Sequence, residues 1–226
     1  MMSEAAMTFM KMDPSQDWAT EFALRDDVVP PGTLFLAAKQ LFDIVVSLIL
    51  LCVLIPIGVI LICLNPVLNP GPLLFVQKRM GRNCAAFPAI KFRTMQPCDN
   101  GPRDLNAPIE NARIPPLGRI LRQLRIDELP QILNVLRGEM SLIGPRPDYF
   151  EHALQCMIEI PNYGRRHIVS PGITGLAQTE LGYAIGIEAT REKVKADLNY
   201  IETRGFRTEA RIILRTFSVI LSRSGK

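Results

Sequence analysis

IVVSLILLCVLIPIGVILICL, residues Ile44 to Leu64, holds 21 consecutive positions without a charge. At about 1.5 Å rise per residue, a helix of that length reaches across a bilayer core of roughly 30 Å. Lys39 and Asp43 stand at its entrance, and Asn65-Pro66 and Asn69-Pro70-Gly71-Pro72 end it. Pro56 interrupts its middle, with Gly58 two residues on. The missing amide hydrogen and the clash of the ring with the carbonyl four residues back predict a kink or break just before Pro56. Two paths stay open. A helix crossing the bilayer would put the preceding residues outside and the rest of the chain inside, as the positive-inside rule permits. A re-entrant hairpin would dip in, turn at Pro56 and keep both ends cytoplasmic.

Outward from this segment the chain reads as soluble. Its 226 residues are 48% hydrophobic and 21% charged, with a net charge of +4, which excludes a disordered polymer, and charges over most of the length exclude a polytopic membrane protein. The first 38 residues hold six acids and two bases, net −4, so residues 39–226 carry +8. That leader has no basic n-region and its apolar run begins late, so it reads as an acidic arm rather than a signal peptide. The five cysteines are odd in number and form no C-x-x-C pair, which argues against a disulfide framework or zinc site and for a reducing cytoplasm. With only His152 and His167 present, a histidine metal site or a Ser-His-Asp triad has little material, and the chemistry falls to carboxylates and cations.

The expected fold is α+β and mostly helical, in four parts: an acidic arm (1–38), a membrane segment (39–68), a catalytic domain (69–203) and a basic amphipathic helix (204–226). Leu73 to Gln77 and Ala89 to Met95 read as strands of a small hairpin around Gly81-Arg82-Asn83. Helices are predicted over Gly118 to Arg125, over Gln131 to Arg137 with Pro130 in the first turn and Gly138 as cap, over Asp148 to Ile160 and over Glu188 to Thr203. In the last helix, Phe206 to Ser222, apolar Phe206, Ala210, Ile213, Leu214, Phe217, Ile220 and Leu221 follow the helical period beside a stripe of Arg204, Arg207, Arg211 and Arg215. It reads either as an interfacial membrane element or as a surface helix packed on the core.

There is no G-x-G-x-x-G, no P-loop and no D-x-D pair, which argues against standard nucleotide folds; no nucleic-acid partner is expected. The dense constellation is RQLRIDELP, from Arg122 to Pro130, followed by GEMSLIGPRP, from Gly138 to Pro147. Asp127 and Glu128 fall at a helix start, where free amides and the helix dipole are expected to lower a carboxylate's pKa. The pair reads either as N-terminal capping or as a nucleophile whose charge a divalent cation shields from an incoming phosphate. Lys91, Arg93, Arg122 and Arg146 supply donors for phosphate oxygens, and two flanking prolines stiffen the turn presenting Arg146.

KFRTM (Lys91 to Met95), ARIPPLGRILR (Ala112 to Arg122), IDELPQILNVLRGEMSLIGPRP (Ile126 to Pro147) and PGITGLAQ (Pro171 to Gln178) closely resemble the bacterial sugar transferase family, the monotopic phosphoglycosyl transferases. The resemblance implies an enzyme of the inner membrane, its catalytic domain on the cytoplasmic face. Such an enzyme moves a sugar phosphate from a UDP-sugar onto polyprenyl phosphate, releasing UMP, to begin exopolysaccharide or related glycan synthesis. It implies Asp127 as nucleophile and ligand of Mg2+, Glu128 as base or electrostatic partner, Lys91, Arg122 and Arg146 near the phosphates, and Gln178 on the nucleotide side. It also implies a re-entrant helix-break-helix anchored by Lys39 and Asp43 and broken at Pro56, with membrane lipids, a second copy of the chain or glycan-assembly proteins as partners. Gln40, Ile55, Leu124 and Arg125 depart from the family's usual residues. The rival reading is a catalytically silent, lipid-binding scaffold on the same fold, which would bind membrane and partners while turning over no UDP-sugar.

Overall fold

The computed structural model describes residues 31–97, 110–182 and 186–221, with side chains up to position 219. Most of the acidic arm, Cys98 and the last five residues lie outside the described residues. The apolar segment lies within a single 36-residue helix, α1 (Thr33–Leu68), with Pro56 and Pro66 both inside it. The helix is not broken at Pro56, because proline's fixed φ is itself helical; the lost hydrogen bond and ring clash act to bend a helix there rather than to end it. The helix is long and apolar enough to cross a membrane, and only 17% of its most apolar window is buried, which separates it from the core helix of a soluble protein. This is compatible with membrane association.

Both halves of α1 are nonetheless fastened to the rest of the chain. Asp43 is buried and accepts from Ser141 Oγ at 2.7 Å and from the Leu142 amide at 3.1 Å. Lys39 Nζ donates to the Ile143 carbonyl at 3.0 Å and pairs with Glu209 at 2.9 Å. Past the helix midpoint, Leu61 packs with Phe92, Leu117 and Leu121, and Asn65 Nδ2 donates to the Gly71 carbonyl at 2.7 Å.

Next comes the antiparallel hairpin of β1 (Leu74–Met80) and β2 (Ala86–Phe92), with Leu74 opposite Phe92. Its turn falls where expected, at residues 82–84, with Asn83 and Cys84 in left-handed conformations at φ 54° and 58°. Helix α2 (Pro116–Gln123) starts on a proline that loses no needed hydrogen bond there. Gly118 lets it approach β2's continuation: a Cβ at this position would lie 2.4 Å from the Thr94 carbonyl oxygen. A 3-10 turn, Ile126–Gln131, contains Pro130 and leads into a short helix, α3 (Ile132–Leu136), closed by Gly138 at φ 77°. The helix predicted over Gln131 to Arg137 is thus found within a residue at each end, and the carboxylate pair before it rides on a 3-10 turn.

A second sheet, two parallel three-residue strands, β3 (Ser141–Ile143) and β4 (Gly172–Thr174), escaped the sequence reading because strands this short carry no alternation. Glycines make the pairing possible: a Cβ on Gly172 would sit 2.1 Å from the Gly144 amide nitrogen, and one on Gly175 2.2 Å from the Gly144 carbonyl oxygen. The remaining helices are α4 (Phe150–Glu159), α5 (Leu176–Glu180), α6 (Ile187–Thr203) and α7 (Phe206–Leu221), with a 3-10 turn at Tyr163–Ile168. The chain is mostly helical. One core cluster joins the hairpin end to α4 and α6 through Met80, Cys156 and Val194, and another joins β3, α5, α6 and α7 through Ile143, Leu176, Ile201 and Ile212. Helix α7 buries Ile212 and Glu209 but leaves Phe206, Leu214 and Phe217 exposed at 58%, 72% and 61%, an apolar stripe turned away from the core.

Candidate active site

Strand β2 and the 3-10 turn pack together, which brings Lys91 to the carboxylate pair, and the loop after β3 brings Arg146. Glu128 is fully engaged. Its Oε1 accepts from Lys91 Nζ at 2.9 Å, and the Arg146 fork closes on both oxygens, one contact at 3.1 Å and a shorter one from the second guanidinium nitrogen. Asp127 is also buried, at 9% exposure, yet no hydrogen bond or ion pair among the described residues reaches its carboxylate. One carboxylate is clamped by two cations and its neighbour is left free.

The electrostatics separate the two. Burial pushes the Glu128 carboxyl up, but the Arg146 and Lys91 charges and their hydrogen bonds outweigh it and hold the group well below the usual carboxylate range. For Asp127 the balance runs the other way: burial, then the Glu128 charge, raise it, against the opposing pull of Lys91, Arg122 and Arg146. This reverses the lowering expected from a helix dipole, because a six-residue 3-10 turn carries little macrodipole and both carboxylates are buried. Burial brings the Lys91 ammonium down to about 8, with Glu128 opposing the drop and Arg146 adding to it. Burial opposes, and Glu128 then outweighs it, in raising Arg146.

The other expected site residues divide. Arg122 Nε donates to Thr94 Oγ1 at 3.0 Å, and its charge is felt at Asp127. Arg93 is spent on backbone: its guanidinium donates to the carbonyls of Pro72 at 2.7 Å and Pro70 at 2.8 Å, and to Asn69, pinning the turn after α1 instead of offering itself to phosphate. Gln178 Nε2 donates to the Ile173 carbonyl at 3.2 Å, its Oε1 is buried without a partner, and no contact joins it to Asp127. Lys39 and Asp43 grip β3 and α7, and Pro56 is exposed on α1. Sequence reasoning missed Asn134. It is fully buried, accepts from the Ile90 amide at 3.1 Å and donates to the Pro88 carbonyl at 2.8 Å, so it locks the strand bearing Lys91 to the helix that follows Glu128. A lone asparagine within LPQILNVL carries no signal that would single it out.

No group of three or more His, Cys, Asp or Glu able to hold a metal occurs among the described residues. Asp127 alone fits a cation such as Mg2+, which takes one or two carboxylates and completes its shell with water and substrate phosphate oxygens. Glu128 does not, since both its oxygens are already taken.

An apolar helix compatible with membrane association is thus fastened to a basic site whose buried Asp127 carboxylate no described side chain engages. The chain belongs to the bacterial sugar transferase family, whose model matches residues 34–223. It is 39% identical over 186 residues to the UDP-glucose:undecaprenyl-phosphate glucose-1-phosphate transferase of Caulobacter vibrioides, covering 81% of this chain and 70% of that one. It is 38% identical over 197 residues to the UDP-N-acetylgalactosamine-undecaprenyl-phosphate N-acetylgalactosaminephosphotransferase of Aeromonas hydrophila, covering 86% of this chain and 46% of that one. The exopolysaccharide production protein PSS of Rhizobium leguminosarum is 38% identical over 196 residues, with 83% and 97% covered.

Proposed function

We propose that the chain transfers a sugar phosphate from a UDP-sugar to polyprenyl phosphate, the opening step of exopolysaccharide or related glycan synthesis, by way of an aspartyl intermediate. The observation that carries this reading is the unengaged Asp127 carboxylate beside a Glu128 held by two cations. An Asp127 oxygen attacks the sugar-bearing phosphorus; the bond from that phosphorus to the bridging oxygen breaks, and UMP departs with the electron pair. An oxygen of polyprenyl phosphate then attacks the same phosphorus, the bond to Asp127 breaks, and the carboxylate is regenerated with the lipid diphosphate sugar as product. Lys91 and Arg146 keep donors beyond those given to Glu128, and with Arg122 they balance the charge that collects on the phosphates. Mg2+ held through Asp127 and the diphosphate would lower the repulsion between carboxylate and donor. Related proteins are named for glucose and for N-acetylgalactosamine transfer, so the donor panel that tests the reading includes UDP-glucose and UDP-N-acetylgalactosamine. Incubated with Mg2+ and the right donor but no lipid, the protein should release UMP; silence across the panel, with membrane binding retained, would favour the scaffold.

In this reading α1 is re-entrant, entering and leaving the bilayer on one side, and the site lies on the cytoplasmic face. Lys39 and Asp43 near the start of α1 and Leu61 and Asn65 near its end all bond or pack against described residues that follow the helix, and a helix crossing the bilayer between those points would divide these partners between two sides. The exposed Phe206, Leu214 and Phe217 of α7, with arginines alongside and Phe35 of α1 stacked edge-on against Phe206 at 5.3 Å, fit an interfacial helix on the same side. A cysteine introduced in the first 30 residues of a chain freed of native cysteines should be labelled only from the cytoplasmic side. Labelling from the periplasm would establish a spanning helix.

Lys91 sets a pH dependence. Its ammonium is charged below about 8 and is lost above it, so turnover should fall as pH rises through that value. Lys91→Arg, whose guanidinium stays charged, should move this alkaline limb upward by about two units or more whatever it does to the maximum rate. A limb that stays in place would assign it to another group.

A further inference from the structure

We propose that Arg166 is a positioning residue for the transfer reaction: it holds the loop after β3 so that the Arg146 fork stays on Glu128, beside Asp127. The inference rests on the reaction proposed above. Arg166 lies on the 3-10 turn Tyr163–Ile168 and is 1% exposed, too deep to touch a substrate. One guanidinium nitrogen donates to the Arg146 carbonyl at 2.7 Å and pairs with Asp197 of α6 at 2.7 Å. The other bonds Asp148 Oδ2 and sits 3.1 Å from the Tyr163 hydroxyl. Asp148 in turn accepts from Tyr163 Oη at 2.8 Å and from Lys193 Nζ at 2.5 Å.

These groups surround the Pro-Arg-Pro turn and leave none of its carbonyls loose. Pro145's accepts from the Gly172 amide at 2.9 Å, Arg146's from Arg166, and Pro147's from Arg79 at 2.6 Å. A buried ion cluster is a poor source of stability, because desolvation cancels most of the attraction. Its geometry is another matter. A planar guanidinium presents fixed donors to a carbonyl and two carboxylates at once, which a lysine's single ammonium cannot do. The chain of contacts thus runs from Asp197 through Arg166 to the Arg146 backbone, and from the Arg146 side chain to Glu128.

The test is a double-mutant cycle on the full chain in lipid nanodiscs, with Mg2+ and whichever of UDP-glucose and UDP-N-acetylgalactosamine wild type turns over. Arg166→Lys keeps the charge and removes the fork. It should lower kcat for UMP release about 100-fold, the scale of a misplaced catalytic group, with KM changed less than about threefold. In an Arg146→Ala background the same substitution should cost less than about threefold, since the residue it positions is gone. Equal losses in the two backgrounds, or a loss confined to KM, would overturn the proposal. Should Arg166→Lys fail to fold, Tyr163→Phe, which removes a hydroxyl and no charge, carries the same comparison with a loss of about tenfold expected. Wild type releasing no UMP would overturn the reaction and this inference with it; active wild type with equal losses overturns the positioning alone.

Discussion

Asp127→Asn should lower UMP release at least about 10^4-fold, to the level of a reaction without the protein, because the substitution removes the one unengaged carboxylate at the site while changing neither size nor the Glu128 clamp. Folding should be little affected. Asp127 makes no ion pair that its loss would break, and burial disfavours its charge. The variant should therefore melt at or slightly above the wild-type temperature while losing activity. An Asp127→Asn variant that stays active, with its mass showing no reversion by deamidation, would remove Asp127 from the nucleophile's role.

Glu128→Gln should behave in the opposite sense on stability. It leaves Lys91 and Arg146, whose side chains are 17% and 23% exposed, facing each other without the charge between them. Breaking such a pair costs about 2 kcal/mol here, below the range for fully buried ions because both cations keep some contact with water. UMP release should fall about 10^2-fold to 10^3-fold as Lys91 and Arg146 lose their fixed positions. Protonation of Asp127 is not the cause, since removing the Glu128 charge eases its ionisation. The stability gap has a definite pH dependence. Glu128 is held well below the ordinary carboxylate value, so its contribution is present in full above the unfolded-state value of about 4.3 and is lost as pH falls through the lower folded value. Thermal melts of the two proteins should converge in acid and separate above about pH 5. Parallel curves at every pH would contradict the clamp.

Much of the site is legible in the sequence because its signal is local and chemical. Asp127, Glu128, Lys91 and Arg146 are charged residues inside recognisable strings, and the structure brings all four together. The apolar run of α1 and the hairpin are legible from composition and turn chemistry. What stays hidden depends on contacts between distant segments. Arg93 carries the same charge as Lys91 two residues away, yet the strand ends at Phe92, and beyond it the Asn69, Pro70 and Pro72 carbonyls capture the guanidinium. Lys39 and Asp43 read as anchors of the apolar segment, but that they bond α7 and β3, about 170 and 100 positions further along, is not visible in the sequence. A helix start implies a lowered Asp127 pKa; the backbone there makes a 3-10 turn under burial, and the sign changes. The glycines of PGITG permit the backbone contacts that seat the Arg146 loop, and such contacts between distant segments leave no local pattern.

The most direct measurement is the mass of the protein after mixing with Mg2+ and a UDP-sugar in the absence of polyprenyl phosphate. The account predicts one UMP released per chain, a mass gain of one sugar phosphate, and peptide mapping that places the adduct on Asp127, discharged when polyprenyl phosphate is added. UMP appearing only once polyprenyl phosphate is present, with the protein's mass unchanged throughout, would contradict it.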